Sequence, residues 1–188
     1  MYIKRNAFRL MLIISLLFGT GSLNAFVYDG DVLDIYSKIM PRFVLMSSQK
    51  EKIENTLEIC ILHDKVDERT ALSLIEKVNN NYPQGIKDYK IKLLNGSYLD
   101  MEPCKNSQMS FMFNTSDKNI KKALEFSDKH VLLTVAYDKE LLEKGVSISL
   151  FLGRKVTPYV NIKALRRNGV ELNNVLLRIS KIYEGGAN

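Results

Sequence analysis

The apolar positions change period several times along the chain, and each change marks an element. Val32, Ile35, Tyr36, Ile39, Met40 and Phe43 recur every three to four residues, the spacing of one helix face. Pro41 predicts a kink or a stop in that helix. Residues 50–56 are polar and read as a loop. Leu57, Ile59 and Ile61 then alternate around Cys60, which is the period of a strand over 57–63. Asp67 stands where a helix N-cap belongs, ahead of Ala71, Leu72, Ile75 and Val78 at helical spacing up to Asn79. Residues 79–85, with Pro83, break the pattern, and 89–94 form a second strand. A long loop over 95–107 contains Cys104, and 109–113 form a third strand.

Asp117 opens a short helix through Leu124 and Phe126. Residues 130–136 are a continuous apolar run, as expected of a strand covered on both faces. Residues 138–144 read as a short helix or turn. Two strands, 146–152 and 155–160, meet at Gly153-Arg154 as a tight hairpin, and Pro158 places the second at a sheet edge. Asn161 caps a helix that breaks near Gly169, and a final helix carries Leu172, Val175, Leu176, Ile179 and Ile182. This order predicts an α/β fold: a three-layer α/β/α sandwich on a mostly parallel sheet, with an antiparallel C-terminal hairpin at the edge.

The first 25 residues follow a different rule. Lys4, Arg5 and Arg9 precede the apolar run 10–18, and small and polar residues lead to Ala25. This is the layout of a cleavable signal peptide over 1–25, followed by a single periplasmic domain over 26–188. The apolar run is short for a bilayer span. The alternative is an uncleaved anchor that holds the domain at the outer face of the inner membrane, and Leu23 keeps it open, because a small residue is preferred there. Export removes most cytosolic enzyme classes. It also changes the charge: residues 26–188 hold 24 basic and 21 acidic side chains, a net of +3. That balance suits solubility and gives no reason to expect a nucleic-acid partner.

Two cysteines in an oxidising compartment favour a Cys60–Cys104 bridge over two buried free thiols. No nucleophile elbow, phosphate-binding Gly-rich loop or metal-ligand spacing appears, so no catalytic, cofactor or metal residue is assigned and the chain is not expected to be an enzyme. His63, Asp64, Asp67 and Glu68 form a polar cluster at a strand's C-terminal end, where open α/β sheets bind ligands. A helix cap with acids in its first turn explains the same residues and is the preferred reading. Arg154, Lys155, Val156, Tyr159, Arg166 and Arg167 are the candidate partner-binding residues: cations facing an acidic partner or anionic lipid, beside an apolar edge open to strand addition. At a net charge of only +3, however, an ordinary solvated surface is the preferred reading of the cations, and Pro158 equally fits an edge that prevents pairing.

Several of these residues fall in an order that resembles the YfiR-like family of periplasmic proteins. In the N-terminal half the resemblance rests on residues 35–46 (IYSKIMPRFVLM), on Cys60 in the first strand and on Cys104 before the third. In the C-terminal half it rests on Leu133-Thr134-Val135, Gly145, Val160-Asn161, Gly169 and Leu176-Leu177. Lys144-Gly145 stands where the family often has two glycines, and the second cysteine pair of some members is absent. The resemblance implies an α/β sandwich, often a homodimer, and repression as the role. Such a protein binds the periplasmic domain of an inner-membrane diguanylate cyclase, and an outer-membrane-associated protein sequesters the repressor. It leaves the partner of this chain open, a sensor kinase or other receptor included. A small-molecule-sensing module is the alternative function.

Overall fold

The computed structural model describes residues 26–185, so the signal peptide expected over 1–25 lies outside the described residues. The alternation in β1 (Thr56–His63) sets the layers. Leu57, Ile59 and Ile61 pack with Tyr36, Met40, Phe43 and Val44 of α1 (Gly30–Leu45) and with Ala71, Leu74 and Val78 of α2 (Glu68–Asn81). Cys60 and Leu62 join a second cluster with Ile120, Ala123 and Leu124 of α3 (Asp117–His130) and Leu141 of α4 (Leu141–Lys144). From Ile59 to Leu62 the strand is covered on both faces and carries no polar side chain.

The sheet has seven strands in the order β2-β1-β3-β4-β5-β6-β7, where β2 is Lys90–Ser97, β3 Met109–Met112, β4 Leu133–Ala136, β5 Ile148–Leu152, β6 Val156–Val160 and β7 Lys181–Ile182. The strands from β2 across to β5 are parallel, β6 runs antiparallel to β5, and β7 runs parallel to β6. The expected α/β sandwich and its antiparallel C-terminal hairpin are therefore present. The hairpin has one short strand outside it, because β7 pairs with Tyr159 and Val160 only. Pro158 lies beyond the end of that pairing, where a missing N–H costs no ladder bond to β7.

Other boundaries moved for identifiable reasons. Helix α1 runs through Pro41 to Leu45. A proline in a helix interior costs about 3 kcal/mol, whereas Met40, Phe43 and Val44, all buried, each gain roughly 1.5–3 kcal/mol by leaving water. The apolar run at 130–136 is part helix end and part strand: His130 closes α3 and Val131 caps it at φ 55°. The expected last helix splits. Asn173 caps α6 (Asn174–Ile179) by accepting from the Leu176 N–H, and Ser180 ends it before β7. Between β6 and α6, α5 (Ile162–Asn168) is capped by Asn161, as expected, and Gly169 ends it at φ 65°.

Cys60 and Cys104 form a disulfide, with 5.6 Å between their Cα atoms and 44 residues of sequence separation. It ties the β2–β3 connection to β1. Closing a loop of that size stabilises a fold by about 2–4 kcal/mol. Gly96 of β2 leaves room for it, since a Cβ there would sit 2.7 Å from Cys60 Sγ and 2.8 Å from Cys104 Sγ.

The junction between β4 and β5 is held by side chains. The two strands share a single paired position, Val135 with Ile148. On one side of it, Ser147 N–H donates to Thr134 Oγ1 at 2.8 Å and the Thr134 hydroxyl donates to Ser147 Oγ at 2.9 Å. On the other side the Tyr36 phenol, fully buried, enters from α1. Its O–H points at the carbonyls of Ala136 (2.7 Å) and Tyr137 (3.0 Å), and its oxygen accepts from Leu150 N–H at 3.1 Å. Ser149 Oγ donates to Ala136 O at 3.1 Å. Burial pushes the Tyr36 pKa far above that of a free phenol, so the group stays neutral and keeps its proton. Tyr36→Phe removes the partner of a buried N–H and lowers the unfolding free energy by about 1–3 kcal/mol. Urea denaturation with an unchanged slope measures it, and a loss under about 0.5 kcal/mol contradicts this role for Tyr36.

Candidate functional site

Strand order reverses direction at β1: the chain passes from β1 outward to β2, then returns to β3 on the other side. The loops after β1 and β3 part there and leave the crevice in which open α/β sheets bind ligands. The first loop carries Asp64 and Asp67 and the second carries Asn114 and Thr115.

In this protein the crevice is filled by its own chain. Tyr28, just ahead of α1, lays its ring edge-on against Phe113 (4.7 Å between centroids) and Tyr137 (4.9 Å). Its hydroxyl accepts from Asn114 N–H at 3.1 Å and donates to Asp67 Oδ2 at 3.3 Å. The next residue fixes the strap from both sides. Asp29 N–H donates to the Tyr137 hydroxyl at 2.8 Å, and its carboxylate caps α1 by accepting from Asp31 N–H at 2.7 Å. Asp64 is equally engaged: the Thr115 hydroxyl donates to Oδ2 and the Asn119 amide donates to Oδ1 at 3.2 Å.

The cluster read as a helix cap thus does something else. Asp67 occupies the N-cap position of α2 but makes no side-chain cap bond; its buried carboxylate receives Tyr28 instead. His63 is buried, with Nδ1 2.7 Å from the Asp64 carbonyl and Nε2 2.7 Å from Asn95 Oδ1, so both ring nitrogens serve the fold. Tyr28, Asn114, Thr115 and Asn119 were not picked out from the sequence. The signal was there for the last three, as a polar run directly after the buried third strand. Among the described residues no group of three or more His, Cys, Asp or Glu side chains is placed to hold a metal ion. Asp64 is thus engaged on both carboxylate oxygens, and Asp67 accepts one bond, on Oδ2.

The six candidate partner-binding residues separate into two places. Arg154, Lys155 and Val156 are exposed at the loop end of the β5–β6 hairpin, whose connection is three residues, 153–155. Tyr159, half-buried, stacks on the hairpin with Phe151 at 5.8 Å. Arg166 and Arg167 lie on α5, which begins at the opposite end of β6. Arg167 is spoken for: it pairs with Asp128 at 2.8 Å and donates to the Gly145 carbonyl at 2.8 Å. Glycine is required at 145, where φ is 107° and a Cβ would sit 2.8 Å from the Arg167 guanidinium.

The sequence profile described as YfiR/HmsC-like matches residues 38–181. The chain belongs to the YfiR/HmsC-like family. No curated protein matches it. Among solved structures it is similar to a conserved domain protein from Vibrio cholerae O1 biovar El Tor, with TM-score 0.58, 13% identity, and 80% of this chain covered. It is also similar to an ABC domain in complex with L-Trp from Streptococcus pneumoniae, with TM-score 0.55, 7% identity and 81% of this chain covered. The YfiR/HmsC-like chain spans 59% and 60% of those two proteins, and at such identities the likeness is one of fold.

Burial holds the Asp67 pKa above that of a free carboxylate, against the smaller opposing effect of the Tyr28 hydrogen bond. The native state therefore binds this proton more tightly than the unfolded chain. The resulting stabilisation is present below the unfolded pKa and is lost as pH rises through the folded one. Asp67→Asn keeps an acceptor for Tyr28 without the charge, so the variant gains stability relative to the parent as pH rises from the unfolded carboxylate pKa through the raised folded one, and the gain is constant above it. Urea midpoints at a series of pH values check this; a difference that is constant with pH contradicts it.

Proposed function

We propose that this protein is a periplasmic regulatory binding protein that holds a membrane-bound signalling enzyme, a diguanylate cyclase, inactive through that enzyme's periplasmic sensor domain. The observation that carries the reading is membership of the YfiR/HmsC-like family across residues 38–181, since YfiR-like proteins are regulators rather than enzymes. The basic and apolar leader over 1–25 supports export, and a Cys60–Cys104 bridge suits an oxidising compartment. Among the described residues no helix is long and apolar enough to cross a membrane.

The mechanism is differential affinity. A protein that binds the inactive sensor state more tightly than the active one shifts the population toward inactivity by that ratio. Driving an enzyme from nearly all active to nearly all inactive takes a preference of roughly 10⁴. A sequestering protein at the outer membrane relieves repression by lowering the free regulator concentration, with no chemistry required.

A second reading is a small-molecule-sensing module that acts on a sensor kinase or other receptor. In that reading the ligand displaces the Tyr28 ring from the crevice and takes over its contacts with Phe113, Asn114 N–H and Asp67.

The test is direct binding between the purified, oxidised domain and the purified periplasmic domains of the host's membrane-bound cyclases. One of them should bind with sub-micromolar affinity and should compete with any outer-membrane sequestering partner. Binding to none of them, with binding to a kinase sensor instead, moves the function to the second reading.

A further inference from the structure

We propose that the β5–β6 hairpin is a lipid-docking element that seats on an anionic phospholipid surface. The inference stands apart from the cyclase reading, because it concerns what the hairpin touches when no protein partner is present. Residues 144–170 contain six basic side chains and no acidic one, although residues 26–188 as a whole are close to balanced. At the hairpin this segregation meets exposed apolar surface. Phe151, Leu152 and Val156 flank the three-residue loop at 39%, 38% and 42% exposure, and Arg154 and Lys155 form the loop itself with Gly153.

Two further cations face the hairpin's rings: Lys139 Nζ lies 5.7 Å from the Phe151 centroid and Lys181 Nζ 5.8 Å from that of Tyr159. None of Lys139, Arg154, Lys155 and Lys181 is ion-paired with an acidic side chain among the described residues. A convex tip with apolar side chains at its end and free cations around it matches the headgroup and acyl boundary of an anionic leaflet. A protein strand is the poorer occupant. The outer edge of β6 is open only over residues 156–158, and Pro158 removes a donor there.

The experiment uses the oxidised domain and vesicles of phosphatidylcholine with or without phosphatidylglycerol. The chain has no tryptophan, so Leu152→Trp supplies a single fluorescent reporter. We expect co-sedimentation with the anionic vesicles alone, weakened by salt, and a blue shift of the reporter. Arg154→Glu with Lys155→Glu should lower the partition coefficient by at least about tenfold at an unchanged melting temperature. Lys163→Glu with Arg166→Glu removes the same charge from α5 and should change it far less. The proposal is overturned by three outcomes: no association with anionic vesicles at low salt, equal losses from the two charge-reversed pairs, or no vesicle binding together with loss of sensor-domain binding in the hairpin pair. The last assigns the hairpin to a protein partner.

Discussion

One buried phenol holds this fold in register. The sheet nearly divides between β4 and β5, where a single pair of residues is matched, and the Tyr36 hydroxyl joins the carbonyls on one strand to the Leu150 N–H on the other. Because Tyr36 belongs to α1, the same contact fixes that helix across the junction. The helix in turn fixes what precedes it: Asp29 caps its first turn, and Tyr28 is thereby placed in the crevice between β1 and β3. A chain of short contacts thus runs from the middle of the sheet to the crevice at its switch point. The Tyr36 bonds to Ala136 and Leu150 are shielded from water, where losing a partner costs more than the bond itself returns, whereas the Asp29 cap at the far end is exposed.

This arrangement suits a protein that acts by being bound. The groups at the switch point satisfy one another: Asp64 with Thr115 and Asn119, Asp67 with Tyr28, His63 with Asn95. What the molecule presents outward is surface, chiefly the hairpin tip and the helix faces. The disulfide contributes by reducing freedom, since it ties the β2–β3 connection to β1. A rigid domain of this kind loses little entropy on docking, which matters when its effect on a partner is a ratio of two affinities.

Much of the architecture was legible because buried parallel strands leave a plain trace. The alternation through Leu57, Ile59 and Ile61 announced the first strand, the continuous apolar run at 130–136 announced one covered on both faces, and the export signal with an even cysteine count announced the bridge. Four features were not legible, each for a local reason. β7 holds two residues and follows a six-residue helix, so Ile179 at the end of that helix and Ile182 in β7 fit a longer helix equally well. The run at 130–136 hides a helix end, because a C-cap at Val131 in the left-handed region leaves no glycine to mark it. Asp67 sits at an N-cap position without capping, because Tyr28 arrives from 39 residues earlier to claim its carboxylate. Arg154 and Arg166 are close in sequence, yet an intervening strand carries them to opposite ends of the hairpin.

The most direct test of the account is the cyclic-di-GMP level in the native host after deletion of the gene, with complementation by exported and leaderless forms. The account predicts a rise on deletion that the exported form reverses and the leaderless form does not. An unchanged level, or reversal by the leaderless form, contradicts a repressor that works from the periplasm.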